Sequence, residues 1–269
     1  MDSSYDPTEE NKVLRLSKSS FMGYRMCPRQ YQWKYIIMKD IRTPPNEAML
    51  RGTDIHEAYD EMWAEEFDEP RDALPTGTEH DLIYDVIADI ETQRRDLWGD
   101  SYRPIATEQK IEVWDEEHEV LLVGIMDGLF VHPEGGLCVF ELKTGSMNEG
   151  KLSRTRQELH FYERLLELSG ETRPVTHFAY LSPDCENPDF VTKVMNKRGK
   201  EVLIGDTQGI LIIEPATKRG RTNFEKHLSN TITSLKAHEW PMKWNDYFCP
   251  QWCEFHLSCE EELTGGEWL

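Results

Sequence analysis

Two carboxylates and a lysine are spaced so that they could meet. Asp127 closes Gly124-Ile125-Met126-Asp127, and Glu141-Leu142-Lys143 ends a second apolar run over 137–143. Between that run and the first, over 120–131, lies His132-Pro133-Glu134-Gly135-Gly136, a turn-forming stretch, so the two runs read as a hairpin. Side chains alternate along a strand, which puts Leu137, Val139, Glu141 and Lys143 on one face and Cys138, Phe140 and Leu142 on the other. Both faces are apolar up to Phe140, as in a strand covered on both sides. Oxygen ligands of this kind suit Mg2+ or Mn2+, and an adjacent lysine can orient an attacking water. A surface ion pair at the end of a hairpin would use the same residues, so the motif is informative only in company.

Two further groups could supply that company. His56 lies in Arg51-Gly52-Thr53-Asp54-Ile55-His56-Glu57, within a helix whose Ile55, Tyr59, Met62 and Trp63 form an apolar face. It is either a structural histidine of that helix or a nitrogen ligand completing a His/Asp/Glu metal set. Cys249, Cys253 and Cys259 cluster near the C-terminus, and Cys27 stands far from them in sequence. Cys27-Pro28 and Cys249-Pro250 both read as points where a helix stops. Four thiolates suit either Zn2+ or an iron–sulfur cluster, and four unrelated buried thiols would look the same. Cys138 and Cys185 read as ordinary thiols.

The elements that must position these residues follow from patterning. Residues 1–16 are polar and acidic, a flexible tail; 17–38 read as helix, broken at Cys27-Pro28 because a proline disfavours helix in the residue before it. Phe21, Tyr24, Tyr31, Trp33 and Tyr35 read as core aromatics. A loop over 41–45 precedes helices over 47–67 and 80–97, then a strand over 105–114 and the hairpin. An amphipathic helix over 152–168 sets Leu159, Tyr162, Leu165 and Leu166 at helical spacing. Strands are expected over 175–181, 190–195 and 209–214, and a helix over 217–238. This order describes an α/β or α+β core with helical additions.

Composition narrows the function. The 269 residues carry 50 acidic against 30 basic side chains, a net charge of −20, which disfavours non-specific nucleic-acid binding. Any DNA contact therefore needs a local basic channel, with Lys151, Arg154, Arg156 and the 218–221 group as its cations. No run approaches the ~18 apolar residues of a membrane span, and the charged N-terminus lacks a secretory apolar region. A soluble, cytoplasmic protein with no membrane partner is expected, and six cysteines there are not a disulfide framework.

Taken in order, Ser17-x-Ser19 with Cys27-Pro28-x2-Tyr31, Gly52-x3-His56, Gly124-x2-Asp127, Glu141-Leu142-Lys143-Thr144-Gly145, Phe161-Tyr162-x2-Leu165-Leu166 and the terminal cysteines resemble the PD-(D/E)xK nucleases of the RecB type. The resemblance extends to their iron–sulfur subgroup, which includes the AddB nuclease domain and the CRISPR-associated Cas-four exonucleases. It implies a restriction-endonuclease-like α/β fold, a central mixed sheet flanked by helices, with 17–269 as one nuclease domain. It further implies that 17–40 and 240–262 form the region of one 4Fe–4S cluster held by Cys27, Cys249, Cys253 and Cys259. His56, Asp127, Glu141 and the Leu142 carbonyl would bind Mg2+ or Mn2+, and Lys143 would assist water attack on a phosphodiester. The implied activity is a DNA exonuclease preferring single-stranded ends, in recombination, repair, viral DNA processing or CRISPR adaptation, with protein partners from such pathways. A non-catalytic DNA-end-binding subunit is the alternative, and a zinc-bound structural protein a third reading. Two departures stand out. The family helix places a glutamine four residues before a tyrosine; here Glu158 precedes Tyr162 by four, and Gln157 precedes Phe161 by four. The first two terminal cysteines are separated by three residues where two are usual.

Overall fold

A computed structural model describes residues 13–39 and 44–265. Residues 1–12 of the tail expected over 1–16, and loop residues 41–43, lie outside them. The elements in chain order are β1 (Arg15–Ser17), α1 (Lys18–Met26), α2 (Pro28–Gln32), α3 (Glu47–Met62), α4 (Asp81–Trp98), β2 (Ala106–Asp115), β3 (Val120–Val131), β4 (Leu137–Leu142) and α5 (Glu149–Leu168). They continue as β5 (Val175–Ser182), α6 (Pro188–Met195), β6 (Glu201–Ile204), β7 (Ile210–Pro215), α7 (Lys218–Lys236), α8 (Phe248–Trp252) and α9 (His256–Thr264). Among the described residues the strands form one seven-stranded mixed sheet, ordered β1-β3-β4-β5-β7-β6, with β2 also pairing β3. The fold is α/β with flanking helices, consistent with the restriction-endonuclease-like architecture expected above.

The chain divides into two compact units, one of Met1–Thr43, Glu112–Val123 and Glu225–Leu269, the other of Pro44–Ile111 and Gly124–Phe224. In the second, β3 and β4 run antiparallel with Gly128 opposite Phe140, and β4 and β5 run parallel. All six residues of β4 are buried, which is why the strand reads apolar on both faces. Tyr59 of α3 stacks on Phe140 of β4, ring centroids 5.2 Å apart, and this contact docks the helix that carries His56 onto the sheet. Under α3, the Tyr59 hydroxyl donates to Glu91 of α4, and Glu91 receives the guanidinium of Arg94; both charged groups are almost fully buried. Arg94 also lies over the Phe130 ring, 4.3 Å from its centroid.

In the first unit, Ser17 caps α1 through a reciprocal pair with Ser20, and the helix stops at Cys27, after which Pro28 opens α2. The break expected at Cys27-Pro28 is therefore present. Tyr31 stacks on Trp240 at 5.9 Å, and the Tyr24 hydroxyl donates to the Glu239 carbonyl.

Two expectations need correction. The stretch 190–195 is helix α6, not a strand: Pro188 occupies its first turn, the Asn187 side chain accepts from the Phe190 N–H, and Phe190 and Val194 bury at helical spacing. The tail expected over 1–16 overlaps β1, where Leu14 and Leu16 are buried and Arg15 to Ser17 pair in parallel with Leu121 to Val123. Strand β6 was not anticipated.

Candidate active site

Adjacent strands bring the two carboxylates together. Asp127 immediately precedes Gly128 and Glu141 immediately follows Phe140, and those two neighbours face each other in the β3–β4 ladder. The Leu142 N–H donates to Asp127 Oδ2 at 2.7 Å, so a backbone donor fixes that carboxylate. Both acids are buried. Lys143, two residues beyond Glu141 on the same face, donates its ammonium to Glu141 Oε1 at 2.6 Å and to Glu158 Oε2 at 2.7 Å. Charge-assisted bonds this short hold a long, flexible side chain in one place.

Glu158 belongs to α5, as does Tyr162 one turn later. Tyr162 is fully buried and its hydroxyl donates to the Ile125 carbonyl of β3, which ties α5 to the strand carrying Asp127. Burial drives the Tyr162 phenol far above its usual pKa, and Glu141, Asp127 and Glu158 push in the same direction. The tyrosine therefore stays protonated and acts as a donor. Gly124 makes this packing possible: a Cβ there would stand 2.6 Å from Leu165 Cδ1 and 2.9 Å from the Tyr162 ring. Of the two candidates for the motif position on α5, Glu158 reaches the lysine, and Gln157 lines a separate cleft.

His56, on α3, has Nδ1 3.7 Å from Asp127 Oδ2 and 3.7 Å from Glu108 Oε1. One ligand atom from each of His56, Glu108 and Asp127 lies within 4.8 Å of the others. Burial by itself would lower the His56 pKa, but the nearby Glu108 carboxylate and the charges of Asp127 and Glu141 outweigh it and raise the pKa. The pocket thus favours positive charge at that point. Glu108 escaped the sequence reading because it sits in a strand with no motif around it. The one available signal was the polar stretch Thr107-Glu108-Gln109-Lys110 near the start of the strand expected over 105–114; the Glu108 backbone is kinked, with φ of 43°.

Of the cations proposed for a DNA channel, Lys151 donates to the Ser146 carbonyl, Arg154 lies 3.7 Å from Glu158, Arg156 pairs with Glu214, and Arg221 pairs with Glu163 and Glu167.

The four distant cysteines also meet. Cys27, Cys249, Cys253 and Cys259 line one small cavity within the first unit, with Met26, Met242, Trp244 and Phe248 around them. All four are free thiols, and the Asn245 N–H donates to Cys249 Sγ at 3.3 Å. Burial raises the Cys259 thiol to about 11, and the neighbouring Cys253 and Cys27 add to the shift. Cys253 is raised for the same reasons, burial first and then Cys249 and Cys27. Thiols that share one cavity resist ionising together unless a cation joins them.

The sequence pattern of the family described as the PD-(D/E)XK nuclease superfamily matches residues 15–260. A search of curated proteins returns no match. A solved structure titled "Crystal structure of SSO0001" aligns with 94% of this chain and 88% of its own at 14% identity, with a TM-score of 0.40.

Proposed function

Because the chain belongs to the PD-(D/E)XK nuclease superfamily, we propose that it is a metal-dependent DNA exonuclease that hydrolyses phosphodiester bonds and prefers single-stranded ends. The observation that carries this reading is the convergence of Asp127, Glu141 and Lys143 from two adjacent strands, with Lys143 held between Glu141 and Glu158. An imidazole and several carboxylates, with no thiolate among them, fit a hard divalent ion. His56, Asp127, Glu141 and the Leu142 carbonyl would hold Mg2+ or Mn2+, with Glu108 a further oxygen donor. A bound ion supplies charge that polarises the phosphate and lowers the pKa of a water.

The chain's own residues have separable tasks. The Leu142 N–H keeps Asp127 aimed. Glu141 and Glu158 keep the Lys143 ammonium at one point, where it can stabilise charge growing on the phosphate oxygens. Tyr162 holds the β3 backbone at Ile125. In the hydrolysis the water oxygen bonds to phosphorus and one P–O ester bond breaks. The water's proton passes to a site carboxylate or solvent, and the departing oxygen takes a proton from solvent.

We assign Cys27, Cys249, Cys253 and Cys259 to one 4Fe–4S cluster. The shared cavity and the backbone N–H on Cys249 Sγ support the assignment, since amide donors to sulfur are typical of such ligands. The cluster would join segments from opposite ends of the chain. The test is anaerobically purified protein on end-labelled single- and double-stranded DNA with Mg2+, Mn2+ or chelator. Metal-dependent release of labelled nucleotides from single strands supports the reading. Binding without cleavage under every metal condition overturns it in favour of an end-binding subunit.

A further inference from the structure

A chain with net charge −20 gathers cations at one place away from the carboxylates. Ser153, Arg156, Gln157 and His160 recur at helical spacing and form one stripe of α5, while Glu158 and Tyr162 lie on another. That stripe, residues 197–200, the end of β7 and the first turn of α7 line a cleft of about 810 Å3. Its walls carry Arg156, Lys197, Arg198, Lys200 and Arg219 against the single carboxylate of Glu214. Glu214 is fully engaged by Arg156, Lys200 and the Tyr180 hydroxyl. Lys197 lies 3.6 Å from Glu149. Arg198 and Arg219 are exposed and make no ion pair among the described residues.

Two independent features of the cleft call for an anion. The first turn of the 19-residue helix α7 holds Lys218 and Arg219 and no acidic residue, and Thr217 accepts from the Gly220 N–H. Cations at a helix N-terminus oppose its dipole, and a bound anion would reverse that penalty while meeting the free N–H groups. The second feature is His160, only 3% exposed, which forms part of the cleft wall. Its Nδ1 bonds Glu163 at 2.7 Å, and its Nε2 has no hydrogen-bond partner among the described residues. That nitrogen opens on the cleft, where a protonated ring would present an N–H to a bound anion. Gly220 keeps the approach clear, because a Cβ there would collide with that Nε2.

We infer that this cleft is a phosphate-binding site, separate from the carboxylate site, that holds a backbone phosphate of the nucleic-acid strand being processed. The identity of the ligand as a strand rests on the nuclease reading; a free nucleotide offers the same phosphate chemistry. The site would anchor the strand on one stripe of α5 while Glu158 and Lys143 face the bond to be cut from another.

The test is binding without cleavage. A fluorescent single-stranded oligonucleotide is titrated by anisotropy in chelator, at several salt concentrations, against wild type and R198A/R219A. Both arginines are exposed, and a thermal melt of the variant checks its folding. Binding weakened on the order of tenfold, with a salt slope shallower by about 1.4 (about 0.7 for each phosphate no longer neutralised), supports the strand assignment. If oligonucleotide binding is unchanged but calorimetric binding of inorganic phosphate or a deoxynucleoside monophosphate disappears, the phosphate site stands and the strand assignment is overturned. No change with any of these probes overturns the inference altogether. The readout is independent of hydrolysis, so an inactive enzyme that still loses binding in R198A/R219A would contradict the nuclease reading and leave the cleft assignment in place.

Discussion

Replacing Glu214 by glutamine should lower stability in a way that depends on pH. Glu214 is 6% exposed and accepts from Arg156 at 2.9 Å, from Tyr180 at 2.6 Å and from Lys200. Burial alone would raise its pKa, but hydrogen bonds from Arg156, Lys200 and Tyr180 hold it down at about 2, against an ordinary value of 4.5. At ~1.4 kcal/mol per pKa unit, that depression corresponds to roughly 3 kcal/mol of stability. A carboxylate whose pKa is depressed in the folded state contributes fully above its unfolded pKa and loses the contribution as pH falls through the folded one. The gap between wild type and Glu214→Gln should therefore be constant above about pH 5 and shrink between about pH 4.5 and 2. At neutral pH it should read as about 6–12 °C in Tm for a chain of this size. Urea or thermal melts at half-unit pH steps would measure it. The substitution also uncovers Arg156 and Lys200 in the cleft, so phosphate binding should tighten while stability falls. A gap that stays the same down to about pH 2.5, or one below about 1 kcal/mol at neutral pH, would refute the reasoning.

Other outcomes follow from the same geometry. Glu91→Gln strands the buried Arg94 guanidinium without its carboxylate and should cost about 3–5 kcal/mol in a chemical melt; a change within experimental noise would mean that the aromatic rings around Arg94 suffice. His56→Ala should weaken calorimetric Mn2+ binding by on the order of tenfold or more with little change in Tm. A large Tm drop with unchanged Mn2+ affinity would make His56 a structural residue. Cys27→Ser should destabilise the protein by about 4–5 kcal/mol under anaerobic conditions, on a loop-closure estimate, and should abolish binding of about four irons per chain. One zinc in a colourless wild type would retain the clamp and discard the cluster.

Most of what positions the candidate site was legible because it is local. The turn His132-Pro133-Glu134-Gly135-Gly136 sets the hairpin, and alternation along 137–143 then puts Glu141 and Lys143 on one face. The stop at Cys27-Pro28 was visible for a similar reason, since a proline constrains its neighbour directly. The stretch 190–195 was misread because Phe-Val-Thr-Lys-Val-Met has β-branched residues and apolar alternation; the deciding signal was Asn187-Pro188, a cap and first turn just upstream. Glu108 was not legible at all, and of the basic cleft only Arg156 and Arg219 were named, with no sign that they share it with Lys197, Arg198 and Lys200. Glu108 reaches His56 only after β2 docks on β3. The cleft gathers side chains from α5, the segment before β6, β7 and α7, whose adjacency depends on a sheet order of β5-β7-β6 that no run of residues encodes. Which of Gln157 and Glu158 lies on the stripe of α5 that faces Lys143 likewise depended on tertiary packing, and it is Glu158.

The most direct measurement is cleavage of an end-labelled single-stranded oligonucleotide in Mn2+ by wild type, Glu141→Gln and Lys143→Ala, paired with anisotropy in chelator on the same preparations. If Asp127, Glu141 and Lys143 form the hydrolytic centre, both variants should lose cleavage by on the order of a hundredfold or more, the scale seen when one preorganised charge-stabilising group is removed. Both should still bind the oligonucleotide about as tightly as wild type. Cleavage by either variant at the wild-type rate would contradict the assignment of the centre.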